Sequence, residues 1–281
     1  MAISKSSLFV TIIIVLTAFT VNAGQQAVIE VEVIEGGKIE KHAEIISFDD
    51  KRVRIDFTGA DRKITDETPY IMTVDNGENW VMANKPKDMF YCSKVQTEEF
   101  FKNLGGQVTH AVDFFNVKAE SPTVQKILEE PGPDIMGFKT THLRLESNAK
   151  AYAWFLFFKF EYTVKIVDDL WYTTDFEVNQ IRMKWISALT QSGNSIVDDL
   201  FGEYTSKLPG PILKTESVMD ITNVRKKRTE TTKQNTIITS LEELKPDQLE
   251  KIFKMPECEV MDDDEIQEKG KALFSAGKIM L

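Results

Sequence analysis

Residues 149–172 (AKAYAWFLFFKFEYTVKIVDDLWY) alternate with a period of two, and this stretch sets the strongest limit on the fold. Alternation of this kind is typical of a β-strand that buries one face. The other face turns polar at Lys159, Glu161 and Lys165, and these charges exclude a membrane-spanning helix. The face predicted to be buried is unusually aromatic and consists of Tyr152, Trp154, Leu156, Phe158, Phe160, Tyr162, Val164 and Ile166.

The length of this stretch argues against a single flat strand. At about 3.3 Å per residue, Tyr152 to Ile166 would extend roughly 50 Å. Either the strand bends with a curved sheet, or its first half, in which both faces are apolar, belongs to a different element. The aromatic face can line a ligand cavity or fill the core, and the pattern leaves both open. The ligand-binding candidates on this face are Trp154, Phe158, Phe160 and Tyr162.

Shorter alternating segments predict further strands on both sides of the aromatic stretch. The dipeptides Gly36-Gly37 and Asn76-Gly77 are typical of hairpin turns with positive φ angles. Short strands with tight turns leave no room for crossover helices, so residues 26–92 are predicted to form an antiparallel meander. Residues 212–228 and 229–240 are rich in Thr, Ile and Val and predict a final pair of strands.

A helical period replaces the strand period between about residues 176 and 206. Apolar residues recur there at spacings of three and four, which predicts a helical insert with an apolar stripe. The insert would cover the aromatic face, and its ligand-binding candidates are Trp185, Leu189, Leu200 and Phe201. Residues 261–281 predict a short C-terminal amphipathic helix or tail.

The N-terminus has the pattern of a signal peptide. Lys5 precedes an apolar core at residues 8–21, and Val21-Asn22-Ala23 is a small-residue cleavage site. We therefore expect residues 1–23 to be removed on export and residues 24–260 to form the folded domain. After removal, the sequence predicts no transmembrane span. The net charge of −10 argues against a nucleic-acid partner.

Two cysteines, Cys92 and Cys258, follow the signal segment. An oxidising exported compartment allows a disulfide between them, and two buried or free thiols are the alternative, because spacing alone gives no geometry. Their separation fits no metal site, so we predict no metal. We also predict no cofactor. The chain has three histidines and lacks the HExxH and GxSxG motifs, so no catalytic residue is predicted.

One basic run stands out in this acidic chain, at residues 225–228 (RKKR). It can meet lipid headgroups or an acidic partner, but the pattern favours an exposed strand end or hairpin. The acidic residues 262–265 (DDDE) fit a helix start, because they lack the spacing of a calcium loop.

The order of several short motifs resembles a bacterial exported family of unknown function within the superfamily of the lipoprotein carriers LolA and LolB. The motifs lie at residues 137–142 (GFKTTH), 171–173 (WYT), 209–215 (PGPILKT) and 249–256 (LEKIFKMP). The likeness covers most of the chain after the signal segment, and no ligand-gating residue of the carriers is matched. The lipid-attachment cysteine of the anchored branch is absent.

This resemblance implies a mainly β, α+β fold in which an antiparallel sheet curls into an incomplete barrel covered by helices. It implies a concave apolar surface that can take acyl chains or another apolar ligand, and it does not imply lipoprotein transport. Together with the signal peptide and the missing catalytic motifs, it leads to our first hypothesis, an exported, non-enzymatic protein of the Gram-negative periplasm that binds a lipid or another apolar ligand. Two alternatives stay open: an envelope interaction or structural protein with a filled core, and an envelope hydrolase. The sequence does not predict an oligomeric state.

Overall fold

The computed structural model describes residues 19–20, 24–84, 91–96, 118–155, 158–175, 177–178, 181, 184, 187–188, 190–191, 195–255 and 259–260. Within them the chain is mainly β-strand, with two helices of defined length, α1 (Ser195–Thr205) and α2 (Pro246–Ile252). The strands are β1 (Phe19–Thr20), β2 (Gln25–Glu35), β3 (Lys38–Phe48), β4 (Val53–Gly59), β5 (Tyr70–Thr73), β6 (Asn79–Asn84), β7 (Tyr91–Gln96), β8 (Lys118–Ala119), β9 (Thr123–Pro131), β10 (Thr141–Phe155), β11 (Phe158–Tyr172), β12 (Glu177–Val178), β13 (Ile212–Asn223), β14 (Arg228–Glu243) and β15 (Glu259–Val260).

Ten strands form one continuous antiparallel sheet in the order β7-β6-β5-β4-β3-β2-β14-β13-β11-β10. At one end β8 and β9 both pair with β10, and at the other β15 pairs with β7 in parallel. The described strands at the two ends do not pair with each other, so the sheet is not closed into a barrel. Apart from this sheet, β1 pairs with β12. The predicted fold class, an antiparallel incomplete barrel with helices, is confirmed.

Both predicted tight turns occur, and their backbone angles explain the residues found there. Gly36 and Gly37, between β2 and β3, have φ angles of 56° and 80°. Asn76 and Gly77, between β5 and β6, have φ angles of 59° and 75°. Glycine and asparagine tolerate this left-handed region, which other side chains rarely adopt. The turns fix the register of the first half of the sheet.

The aromatic run is a hairpin of two strands. β10 and β11 pair from Thr141 opposite Tyr172 to Phe155 opposite Phe158. The prediction that eight alternating residues share one face of one strand is therefore wrong, and the alternative of a separate first half is correct. The pattern missed the turn because both faces are apolar on either side of it. A two-residue connection exchanges the positions that face one side, and apolar residues at both hide that exchange.

One face of the sheet, called the inner face, carries the large core. In β2 every second residue from Ala27 to Val33 is buried on this face. The helix α1 lies against it, because Phe201 belongs to the same buried cluster and Tyr204 belongs to a second cluster with Leu170. The alternate residues buried on β2 and the buried residues of α1, which are three positions apart, therefore face the same core.

The opposite face, called the outer face, is covered near β5 and β6 by α2. Leu249 of α2 packs in a buried cluster with Tyr70. Arg54 holds the end of this helix, because it donates a hydrogen bond to the carbonyl oxygen of Ile252 at 3.0 Å. Its guanidinium also lies 3.8 Å from the centre of the Tyr70 ring and pairs with the buried Asp56 carboxylate at 2.6 Å.

Several sequence predictions fall outside the described residues, among them the tail of residues 261–281 and most of the signal segment and of the helical insert before α1. Among the helices that the structure describes, none has both the length and the apolar composition that crossing a membrane requires.

Candidate binding site on the inner face of the sheet

Five buried polar residues, here called the polar band, cross the inner face of β11, β13 and β14. Asp168, Ser217 and Gln234 form one row, because they pair directly across β11, β13 and β14. Thr215 and Thr236 pair in the next row. All five are buried, with at most 4% of each residue exposed. A core face of a sheet normally places apolar residues at such positions, so the band is a departure that needs an explanation.

Most of the polar band lacks hydrogen-bond partners. Within the described part of the chain, neither the amide nitrogen nor the amide oxygen of Gln234 has a partner, and the hydroxyls of Thr215 and Thr236 have none. Each unsatisfied buried group costs about 1–3 kcal/mol, and native proteins satisfy nearly all of them. The band therefore marks a place where an external hydrogen-bonding group would be stabilised.

Asp168 is the acidic end of the band. Burial raises its pKa to about 6, and the hydroxyls of Ser217 and Tyr204 oppose this rise by hydrogen bonding. The Ser217 hydroxyl has no partner at hydrogen-bond geometry within the described residues. Burial and the nearby Asp168 carboxyl raise the pKa of Tyr204 well above its ordinary value, so Tyr204 remains a neutral donor.

A second acidic group lies on the inner face of β3. Glu44 is 1% exposed, and burial raises the pKa of its carboxyl to about 8. His42, on the same face, has its Nε2 atom 3.9 Å from Glu44 Oε1, and burial lowers the pKa of His42. β2 lies between these residues and the polar band, so His42 is about 10 Å from Thr236 across two strands. A neutral Glu44 can donate or accept a hydrogen bond at pH 7.

The helix α1 reaches the acidic end of the polar band. Tyr204 hydrogen-bonds to Asp168, and Leu200 and Tyr204 pack in the cluster of β10 and β11. Phe201 belongs to the larger buried cluster, which also includes Val31 and Leu213. The helix therefore covers at least the Asp168 end of the band.

Next to the polar band the inner face becomes apolar and half-buried. Ile166 precedes Asp168 by two residues on β11, and Met219 follows Ser217 by two residues on β13, so the two regions are contiguous. These residues share one face and alternate with polar residues of the outer face. We call this region the apolar strip, and it consists of Ala149, Ala151, Tyr162, Val164, Ile166, Met219 and Ile221.

The structure describes the side chains of three of the predicted ligand-binding residues, and it places them on two separate elements. Tyr162 lies in the apolar strip, whereas Leu200 and Phe201 lie on the side of α1 that faces the sheet. Phe201 is 2% exposed and belongs to the packed core.

For three of the remaining predicted residues the structure describes only the backbone, and the others lie outside the described residues. The register pairs Trp154 with Lys159 and Phe160 with Ala153, so Trp154 and Phe160 belong to different strands, and Phe158 pairs with Phe155 at the end of the hairpin. Trp185 and Leu189 lie outside the described residues. Cys92 lies in β7 and Cys258 lies outside the described residues, so their pairing stays a prediction.

Sequence reasoning missed the polar band for a physical reason. In β13 the residues of both faces are polar, with Lys214 and Glu216 alternating with Thr215 and Ser217. Hydrophobic alternation therefore gives no sign of which set is buried. The part of the chain that the structure describes also contains no group of three or more His, Cys, Asp or Glu side chains arranged for a metal ion.

No family model matches the chain, and no curated protein matches it. The structure of PNGF-II in the C2 space group is similar with a TM-score of 0.36 and 13% identity, over 87% of this chain and 32% of PNGF-II. The chain therefore spans about a third of the length of that protein.

The crystal structure of the LolA superfamily protein NE2245 from Nitrosomonas europaea is similar with a TM-score of 0.29 and 9% identity, over 90% of this chain and 99% of NE2245. Neither likeness carries an inference about a ligand.

Proposed function

We propose that this chain is an exported, periplasmic, non-enzymatic protein that binds an amphiphilic ligand of the lipid class on the inner face of its sheet. The observation that supports the proposal is the contiguity of the apolar strip with the unsatisfied polar band. The N-terminal residues 1–23, with their apolar core and cleavage site, support the exported location.

The two regions match the two parts of such a ligand. The apolar strip would receive an acyl chain, since Tyr162 to Asp168 spans about 20 Å along β11 and one leaflet of a bilayer is about 15 Å of hydrocarbon. Gln234, Thr236 and Thr215 would receive an uncharged hydrogen-bonding group such as a hydroxyl, an ester or an amide. A charged headgroup is disfavoured there, because a buried ion needs an opposite charge.

The helix α1 would act as the cover of this site. The polar atoms of Gln234 and Thr236 are closed off and unsatisfied, and in this proposal α1 is the element that closes them off. Lifting the helix would expose them to water or to a ligand, which recovers part of the cost of burying them. The unsatisfied band therefore lowers the cost of opening relative to an entirely apolar interface.

Extraction and titration would test this function. The natively processed protein, purified without detergent, should release a lipid on organic extraction, detected by mass spectrometry. A fluorescent fatty acid should bind to the extracted protein, and an unlabelled monoacylglycerol should displace it more effectively than a fatty acid anion at pH 8. The absence of both a co-purified lipid and probe binding would contradict the proposal and leave the interaction protein with a filled core.

A further inference from the structure

The inner face of β3 carries polar side chains where an apolar row is expected. Glu40, His42 and Glu44 occupy alternate positions of the strand and therefore share this face. Their exposure falls along the strand, because Glu40 is half-buried, the His42 side chain is 14% exposed and Glu44 is 1% exposed. These three residues form a polar track that leads from the β2–β3 hairpin into the core.

Glu44 lies at the buried end of this track without a hydrogen-bond partner. Among the described residues, neither oxygen of its carboxyl group makes a hydrogen bond, and His42 Nε2 at 3.9 Å is beyond hydrogen-bond distance. Glu44 pairs across the ladder with Ile29 of β2 and Phe57 of β4, whose side chains offer neither a charge nor a hydrogen bond. Glutamate is almost never fully buried unless it is paired, because an isolated buried carboxyl is costly.

A primary ammonium group supplies the hydrogen bonds that this place lacks. It carries three N–H donors, and the two oxygens of Glu44 and Nε2 of His42 are three acceptors on one face when the ring is protonated at Nδ1. Burial lowers the pKa of His42, so its ring is neutral at pH 7 and does not repel a cation. The described residues contain no group of three or more metal-ligating side chains, so an ammonium fits this pair better than a metal ion does.

Solvent reaches close to Glu44 on the β4 side. His42 pairs with Gly59, which is exposed, and Phe57 opposite Glu44 is half-buried. Among the described residues, a Cβ atom at position 59 would meet only Asp61 Oδ1, at 3.3 Å, so this end of β4 leaves space beside His42. The exposed Asp61 carboxylate would attract a cation to this space. A cationic group can therefore approach Glu44 past His42.

We propose that Glu44 and His42 bind a primary ammonium group at the end of the ligand's polar headgroup. Val31 pairs with Thr236 on one side and with His42 on the other, so this ammonium site lies about 10 Å from the polar band across β2. The band would receive an uncharged group of the same headgroup, whereas the cation would lie where a carboxyl can neutralise it. This inference rests on the proposed function, and it narrows the ligand to an amphiphile that carries an amine.

Proton release tests the ammonium site with the natively processed chain. Burial raises the pKa of Glu44 to about 8, so its carboxyl is protonated at pH 7 in the ligand-free protein. An ammonium that pairs with the carboxylate would therefore release about one proton to the buffer for each ligand bound. Calorimetric titration in two buffers of different ionisation enthalpy should show this release for octylamine and none for octanol. Octylamine should also bind at least about tenfold more tightly than octanol.

Matched variants separate Glu44 from the general acidity of the chain. Glu44→Gln should abolish the proton release and lower the affinity for octylamine at least about tenfold. Glu32→Gln makes the same change on the outer face of β2, where Glu32 pairs with Lys41 at 2.7 Å, and it should behave as the wild type. If octanol binds and octylamine binds equally well to the wild type and Glu44→Gln, the ammonium site is overturned and the proposed function stands. If neither probe binds the wild type, both are overturned.

Discussion

Tyr204 of α1 and Asp168 of β11 are each 4% exposed, and the Tyr204 hydroxyl opposes the rise that burial causes in the pKa of Asp168. This contact joins the covering helix to the polar band. Tyr204→Phe removes one donor from the carboxylate, so the free energy of unfolding should fall by about 1–3 kcal/mol at pH 8, where Asp168 is ionised. The loss should be smaller at pH 5, where the carboxyl is protonated, and urea unfolding at both pH values measures it.

Tyr172→Phe is the matched control for that pH dependence. The Tyr172 hydroxyl donates to Glu129 Oε1 at 2.9 Å, and a hydrogen bond from Lys126 holds the pKa of Glu129 below its ordinary value. Glu129 is therefore ionised at both pH 5 and pH 8, and this variant should lose the same stability at each. Equal losses at both pH values for Tyr204→Phe as well would show that Tyr204 does not stabilise the Asp168 carboxylate.

Glu44 should cause most of the fall in folding stability as the pH rises from 4.5 to 8. Burial raises its pKa from 4.5 to about 8, so between these values the folded chain binds more protons than the unfolded chain. Stability therefore falls as the pH rises from 4.5 to 8, on the order of 1.4 kcal/mol for each unit of pKa difference. Glu44→Gln should remove this slope and leave a variant several kcal/mol more stable than the wild type at pH 8.

Asp168 adds a smaller slope in the same direction. Its pKa is raised from 3.8 to about 6, so it lowers stability between these pH values in both the wild type and Glu44→Gln. Urea unfolding from pH 5 to pH 8.5 measures the profiles of the wild type and Glu44→Gln, and a wild-type profile that rises through this range would contradict the burial of a neutral Glu44.

The sheet could be predicted from the sequence because its signals are local. Gly36-Gly37 and Asn76-Gly77 encode their turns directly, and the alternation of Ile29, Val31 and Val33 encodes the buried face of β2. The β10–β11 turn was missed because apolar residues at both faces hide the exchange of faces.

The polar band could not be predicted, because its members meet only through register. Gln234 pairs with Ser217, and Ser217 pairs with Asp168, on three neighbouring strands. Gln234 and Asp168 are 66 positions apart in the sequence, so no local pattern indicates that they share a row. A Thr or Gln at an alternating position in a polar strand is as compatible with the wet face as with the buried face.

Replacing an unsatisfied hydroxyl of the band with a methyl group should stabilise the chain. Thr236 is 2% exposed and its hydroxyl lacks a partner among the described residues, so Thr236→Val removes a buried polar group and keeps the shape of the side chain. We expect a gain of about 1 kcal/mol, or about 2–4 °C in melting temperature. Ligand affinity should fall at the same time, since the band would lose a hydrogen-bonding group.

Thr58→Val provides the contrast for this prediction. Thr58 is also buried, but its hydroxyl donates to the carbonyl oxygen of Ala43 at 2.9 Å. The same substitution there should cost about 1 kcal/mol, because it leaves that bond unmade. Thermal unfolding of both variants gives the comparison, and a destabilised Thr236→Val would show that its hydroxyl is satisfied in solution.

A charge placed in the apolar strip should separate ligand binding from folding. Tyr162 is half-buried, so Tyr162→Lys can keep its ammonium in water and leave the chain folded. Binding of the fluorescent fatty acid should fall at least about tenfold, since an acyl chain would have to share the strip with a charge. Thr222→Lys introduces the same charge on the outer face of the neighbouring strand and should leave binding unchanged. Phe201→Lys should instead unfold the chain, because Phe201 is 2% exposed and a buried unpaired charge costs several kcal/mol. If Tyr162→Lys bound the fatty acid as well as Thr222→Lys does, the apolar strip would not be the place where the acyl chain lies.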